Sequence, residues 1–148
     1  LPAEVQALVA GRDIPSPRRA VSGLDNARVA MILAVLERRA GVRLHDAEVY
    51  AATVGGMRVA EPAADLALAM AITSARRDVA LPADLVVLGE IGLAGEVRRV
   101  AGVDRRLAEA ARLGFTAALV PPGCGEGGPA GMAVREVSDV AALIAAVR

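Results

Sequence analysis

The sequence has 148 residues, 55% hydrophobic but only 1% aromatic, which suits a single domain with an aliphatic core. Its 17 basic residues, all Arg, balance 17 acidic ones, so there is no global basic field. The two aromatics, Tyr50 and Phe115, are too few for a base-stacking platform that grips single-stranded nucleic acid.

Glu4–Ala10 (EVQALVA) predicts a strand closed by Gly11. Residues 12–19 are expected to form a loop, because Pro15 and Pro17 exclude regular structure. A helix capped by Ser22 or Asp25 is expected to run to about Arg39. Val29, Ile32, Leu33 and Leu36 recur on one face of it. Arg38 and Arg39 suit the negative end of its dipole, and Gly41 suits a left-handed stop. Residues 48–54 read as a second strand, ended by Gly55 and Gly56. Pro62 opens a second helix that carries Leu66, Met70 and Ile72 to about Arg77. It is apolar enough to be buried on most sides. Residues 85–88 read as a buried strand, and 91–100 as a hairpin turning around Gly92 and Gly95. A third helix over 103–113 stops at Gly114. Residues 117–120 form a strand closed by Pro121-Pro122, and 123–131 a glycine-rich loop. A short strand over 134–137 precedes a last helix that Ser138 is expected to cap, with Val140, Leu143, Ile144 and Val147 on its apolar face. Strands and helices interleave, so the expected class is α+β, a mixed sheet covered by about four helices.

The residue inventory removes most mechanisms. Without Lys there is no Schiff base, no Walker lysine and no Ser–Lys dyad. One His (His45) and one Cys (Cys124) exclude a His-pair metal site and a zinc ribbon. A lone Cys also excludes an intrachain disulfide and points to a reducing cytoplasm. No run reaches the roughly 18 apolar residues of a membrane span. The opening Leu1-Pro2-Ala3-Glu4 lacks the pattern of a signal peptide and an initiating Met, so a piece of a longer protein is expected.

The four serines, Ser16, Ser22, Ser74 and Ser138, show no nucleophile-elbow pattern, and His45 is expected to be solvated or locally hydrogen-bonded. Two carboxylate pairs could do acid–base work, Glu90 with Glu96 and Glu61 with Asp65. Their simpler roles are a solvated hairpin and a favourable helix start. The glycine-rich loop could form a phosphate nest but lacks the strand–loop–helix context and the Lys of a P-loop. A mobile surface loop is the simpler reading, and nothing near Cys124 predictably lowers its pKa. Five Arg doublets stand at 18–19, 38–39, 76–77, 98–99 and 105–106. They fit either a solvated, acid-balanced surface or local phosphate contact.

Three long stretches carry a resemblance: SGLDNARVAMILAVLERRAGVRL, DAEVYAATVGGMRVAEPAADLALAMAITSARRD, and LPADLVVLGEIGLAGEVRRVAGVDRRLAEAARLGF followed by ALVPP. Together they resemble the C-terminal Lon-protease-like domain of the RadA (Sms) family of bacterial DNA repair and recombination proteins, over nearly all of residues 1–148. The resemblance implies the Lon proteolytic-domain fold. Active Lon proteases place their serine in Gly-Pro-Ser-Ala-Gly; here the motif reads Glu61-Pro62-Ala63-Ala64-Asp65, with Ala63 at the serine position. Their lysine lies in Gly-Gly-X-Lys; here the segment reads Ala101-Gly102-Val103-Asp104, with Asp104 in its place. The resemblance therefore implies a non-proteolytic scaffold of a hexameric ring that acts on single-stranded or branched DNA and drives branch migration. The zinc-binding module and the RecA-like ATPase, with ATP, Mg and Zn, belong to regions outside this chain. Arg18, Arg19, Arg98, Arg99, Arg105 and Arg106 are the candidate DNA contacts. The alternatives are a pure protein–protein module and, remotely, a residual hydrolase using Ser74.

Overall fold

The computed structural model describes residues 3–126 and 128–147. Leu1 and Pro2 of the opening segment and residue 127 of the glycine-rich loop lie outside the described residues. Among those described, four α-helices and eight strands form an α+β fold, with the strands divided over three sheets.

The first sheet has the order β1 (Val5–Ala10), β3 (Glu48–Thr53), β2 (Arg19–Ser22). β1 runs antiparallel to β3 with Val5 opposite Thr53, and β2 runs parallel to it with Arg19 opposite Val49. Alternation explains β3: Val49, Ala51 and Thr53 point into the core while Glu48, Tyr50 and Ala52 do not. β2, α1 (Asn26–Ala40) and β3 make a parallel crossover, the usual use of a helix between parallel strands. Asp25 caps α1 by accepting from the Ala27 amide at 2.9 Å, and Gly41 ends it in the left-handed region at φ 70°.

α2 (Asp65–Arg77) packs along β1 and against α1, and α4 (Val140–Ala146) closes over both helices. Their apolar faces form the main core, in which Ile32, Leu36, Leu66, Ile72 and Leu143 are fully buried. The burial expected for α2 on most sides is present. The second sheet, β4 (Leu85–Val87), β7 (Ala117–Val120) and β8 (Ala133–Glu136), is wholly parallel. α3 (Val103–Arg112) lies in the β4-to-β7 connection over a smaller cluster of Leu88, Val103, Leu107, Ala118 and Val120. Between them, β5 (Glu90–Ile91) and β6 (Val97–Arg98) form the hairpin expected around Gly92 and Gly95.

Three expectations change. Residues 19–22 form a strand, because the parallel partner β3 supplies pairing that four residues do not announce. Ser22 therefore lies in β2, and Asp25 caps α1. Asp139, not Ser138, caps α4 by accepting from the Ala142 amide at 2.8 Å, while the Ser138 carbonyl accepts from Val97 N. Pro62 opens a separate 3₁₀ turn, Pro62–Ala64, ahead of α2.

Candidate functional site

Ala63 is the middle residue of that 3₁₀ turn and is 5% exposed. Gly89 staples the turn from the side. Its amide donates to the Ala63 carbonyl at 3.0 Å, and its carbonyl accepts from Leu66 N at 3.0 Å. Glycine is needed for so close an approach, since a Cβ at Gly89 would lie 2.9 Å from Val97 Cγ1 and 3.3 Å from Leu66 Cδ2.

Asp65, two residues on, is 3% exposed and fully engaged. The Arg28 guanidinium grips it with both Nε, at 2.8 Å, and Nη2, and the Ile91 amide donates to Oδ2 at 3.0 Å. Glu90 Oε2 stands 4.0 Å from the same guanidinium. Arg28 thus ties α1, the start of α2 and the hairpin together, and Asp65 does more than favour a helix start. No local pattern marks this pair, whose members lie 37 residues apart.

Asp104 sits exposed in the first turn of α3, after Gly102 at φ 71°. Arg106, two residues later, pairs with Glu61, two residues before Ala63, at 2.6 Å. This contact holds Glu61 below the usual carboxylate range and draws the segments of Ala63 and Asp104 together. Beside the turn, the space lined by Leu24, Arg28, Glu61, Ala64 and Asp65 is only ≈ 10 Å³, the size of one water at most. Ser74 Oγ donates to the Val79 carbonyl at the end of α2, and His45 Nδ1 lies 3.0 Å from Glu37 Oε2 as a local, exposed pair.

The six arginines proposed for DNA contact fall into two groups. Arg18 and Arg19 flank the start of β2 at an edge of the first sheet. Arg98, Arg99, Arg105 and Arg106 surround the β6–α3 connection. Four have internal partners: Arg19 donates to the Leu44 carbonyl at 2.8 Å and to that of Ala47, Arg98 pairs with Glu96 at 2.7 Å, Arg99 donates to the Pro122 carbonyl at 3.1 Å, and Arg106 holds Glu61. Among the described residues the side chains of Arg18 and Arg105 show no such bond, and both are exposed.

The loop carrying Arg18 is anchored by Asp46, which is buried although Arg43 is not. Asp46 Oδ2 accepts from Arg43 Nη2 at 2.5 Å and from the Asp13 amide at 2.9 Å, which together hold Asp46 well below its ordinary value. A depressed carboxylate contributes stability above its unfolded pKa of about 3.9 and loses it as pH falls toward the folded value. Urea midpoints of the wild type and Asp46→Asn are therefore expected to differ by a constant amount above about pH 5 and to converge below about pH 4.

The glycine-rich loop is fastened to the second sheet rather than free. The Gly125 amide donates to Glu136 Oε2 at 2.9 Å, Cys124 packs on the smaller cluster, and a Cβ at Gly128 would collide with Val134. A larger concavity, ≈ 690 Å³, opens between β2 and α1, with Val21, Val29, Leu33 and Leu44 lining it and Arg38 and His45 at its rim.

A family model described as subunit ChlI of Mg-chelatase matches residues 54–123, which include Ala63 and Asp104. The DNA repair protein RadA of Mycolicibacterium smegmatis is 53% identical over 145 residues, 98% of this chain, and that of Mycobacterium tuberculosis H37Rv 54% identical over 140 residues. The chain belongs to the RadA family. Escherichia coli RadA is 49% identical over 118 residues. This chain spans 31%, 29% and 26% of the length of those three RadA proteins. Among the described residues no helix is long and apolar enough to cross a membrane.

Proposed function

We propose that this chain is a non-proteolytic, Lon-like scaffold of a RadA-type DNA repair and recombination ATPase, supporting ring assembly and DNA interaction during branch migration. The observation that supports the reading is the Glu61–Arg106 pair, which links the segments of Ala63 and Asp104 beside a space of only ≈ 10 Å³ lined by Arg28 and Asp65. A fold that keeps its geometry while losing a nucleophile and a base serves better as a support than as a catalyst. ATP, Mg and Zn would be bound by other regions of the full protein, which would work in the cytoplasm as a hexameric ring.

A second reading, protein–protein assembly without DNA contact, is favoured by the internal engagement of Arg19, Arg98, Arg99 and Arg106 and by the zero net charge. A residual hydrolase is disfavoured because the Ser74 hydroxyl is committed to Val79. Arg18 and Arg105 separate the first two readings. Titrating single-stranded DNA across a salt series, the double variant Arg18→Ala/Arg105→Ala is expected to bind more weakly. Its slope of log K against log salt should fall by roughly 1.4, about 0.7 for each phosphate no longer neutralised. Unchanged affinity and slope would favour assembly alone, read by light scattering on the same samples.

A further inference from the structure

We infer that the outer edge of β2 takes an extended, acidic segment of a partner protein as a further strand, an interaction beyond the assembly and DNA contacts proposed above. β2 is the edge strand of the first sheet, paired with β3 on one side only. The Arg18 carbonyl accepts from Val49 N at 3.0 Å, and Arg19 stands opposite Val49. In a parallel ladder this register turns the main-chain groups of Ala20 and Ser22 toward β3 and those of Arg19 and Val21 outward. Among the described residues no other strand or loop bonds to the Arg19 and Val21 main chain. Such a row of donors and acceptors is a template for another strand.

The chain itself supplies the first rung on that side. Gly23 continues the outward alternation: its carbonyl accepts from Val59 N at 2.7 Å, and Leu24 pairs with Val59 in parallel. The pairing stops there, because the Met57 carbonyl turns to the Thr53 hydroxyl instead of to β2. The edge is thus met at Gly23 and open at Val21 and Arg19.

α1 overhangs the open stretch. The concavity between β2 and α1 is lined from Asn26 to Arg38, roughly 18 Å of helix, against roughly 13 Å for the four residues of β2. Its floor of Val29, Leu33 and Leu44 is already buried, so main-chain pairing rather than burial of that floor drives the contact. Ala30 and Ala34 are exposed, one helical turn apart, and their short side chains leave room for the inward side chains of an added strand. Charge selects the segment. Glu37 Oε1 accepts from the Leu44 and His45 amides at 2.7 and 2.6 Å, and its Oε2 lies 3.0 Å from His45 Nδ1, so this carboxylate is engaged locally. Arg38, exposed at one end of the concavity, makes no such contact among the described residues and fits a carboxylate of the incoming strand.

The probe is a capped peptide of about eight residues, with a Val-Thr-Val-Thr centre and aspartates at both ends. It is expected to bind the chain with a Kd below about 1 mM. On binding, hydrogen exchange at the Arg19 and Val21 amides, read by NMR, should slow about tenfold, while Ala20 and Ser22, already in the ladder, hold steady. Methylating alternate peptide nitrogens gives two further probes. The one methylated on the edge that meets β2 should bind about tenfold more weakly, and the other should bind as before. Arg38→Glu, with circular dichroism unchanged, should weaken the aspartate peptide about fivefold, and lysines in place of the aspartates should restore binding to that variant. No binding at about 1 mM, equal binding of the two methylated peptides, unprotected Arg19 and Val21 amides, or indifference to Arg38→Glu would overturn the proposal. So would protection of those two amides that grows with chain concentration in the absence of peptide, since the occupant would then be a second copy.

Discussion

Replacing Asp65 by Ala is expected to cost about 3–5 kcal/mol, because it strips the partly buried Arg28 guanidinium of its carboxylate partner. The Arg28 side chain is 26% exposed and Glu90 lies 4.0 Å away, so partial compensation should place the loss near the lower end. The Ile91 amide loses its acceptor in the same step, and the hairpin loses one of its ties to α2. A domain of this size should then melt roughly 10 °C lower, at about 2–4 °C per kcal/mol. Asp65→Asn separates the contributions. It keeps an oxygen for Ile91 N and the packing, but removes the charge, so it should fall between the wild type and Asp65→Ala in thermal denaturation. Arg28→Met combined with Asp65→Leu should recover much of the loss, since a well-packed apolar pair often replaces a buried ion pair without penalty. A double variant no more stable than Asp65→Ala would show that the hydrogen bonds of Asp65, among them that from the Ile91 amide, and not the unpaired Arg28 charge, set the loss.

That pair also marks where sequence reading stops. The period-two pattern of β3 and the helical spacing of Val29, Ile32, Leu33 and Leu36 are local, and both elements form where expected. The glycines that end α1 and turn the hairpin act within a few residues and are legible for the same reason. β2 is different, since its pairing with β3 lies across the whole of α1. Ser138 and Asp139 are adjacent and chemically able to cap, and the choice falls to Asp139 because the Ser138 carbonyl meets Val97 from another element. The Arg doublets divide in the same way. Glu96 and Arg98 lie two apart, a spacing that puts both side chains on one side of a strand, so their pairing could be foreseen. Arg106 reaches Glu61 across 45 residues, which no local pattern shows. Ala63 and Asp104 are singled out by resemblance alone; the link between their segments, the Arg106–Glu61 contact, needs the fold.

Leu107→Ala is expected to cost about 2–5 kcal/mol, and its distribution matters as much as its size. Leu107 is fully buried in the smaller cluster, with Leu88, Val103, Ala118 and Val120 as its buried companions. α3 buries only Val103, Leu107 and Ala110, so truncating the largest of them removes most of its hold on the parallel sheet. The glycine-rich loop also rests here, since Gly128 approaches both Val134 and Leu107. The main core is a separate cluster, so the loss should appear first as local opening. Hydrogen exchange is expected to speed up in α3, β7 and β8 while α1 and α2 keep their protection. Equal loss of protection throughout would mean that the two clusters unfold as one unit. The functional consequence follows from what α3 carries. Arg105 and Arg106 ride on it, so a loosened α3 should weaken any DNA contact made through Arg105. Leu36→Ala, a comparable loss in the main core, leaves α3 on its sheet and should spare that contact while the chain remains folded.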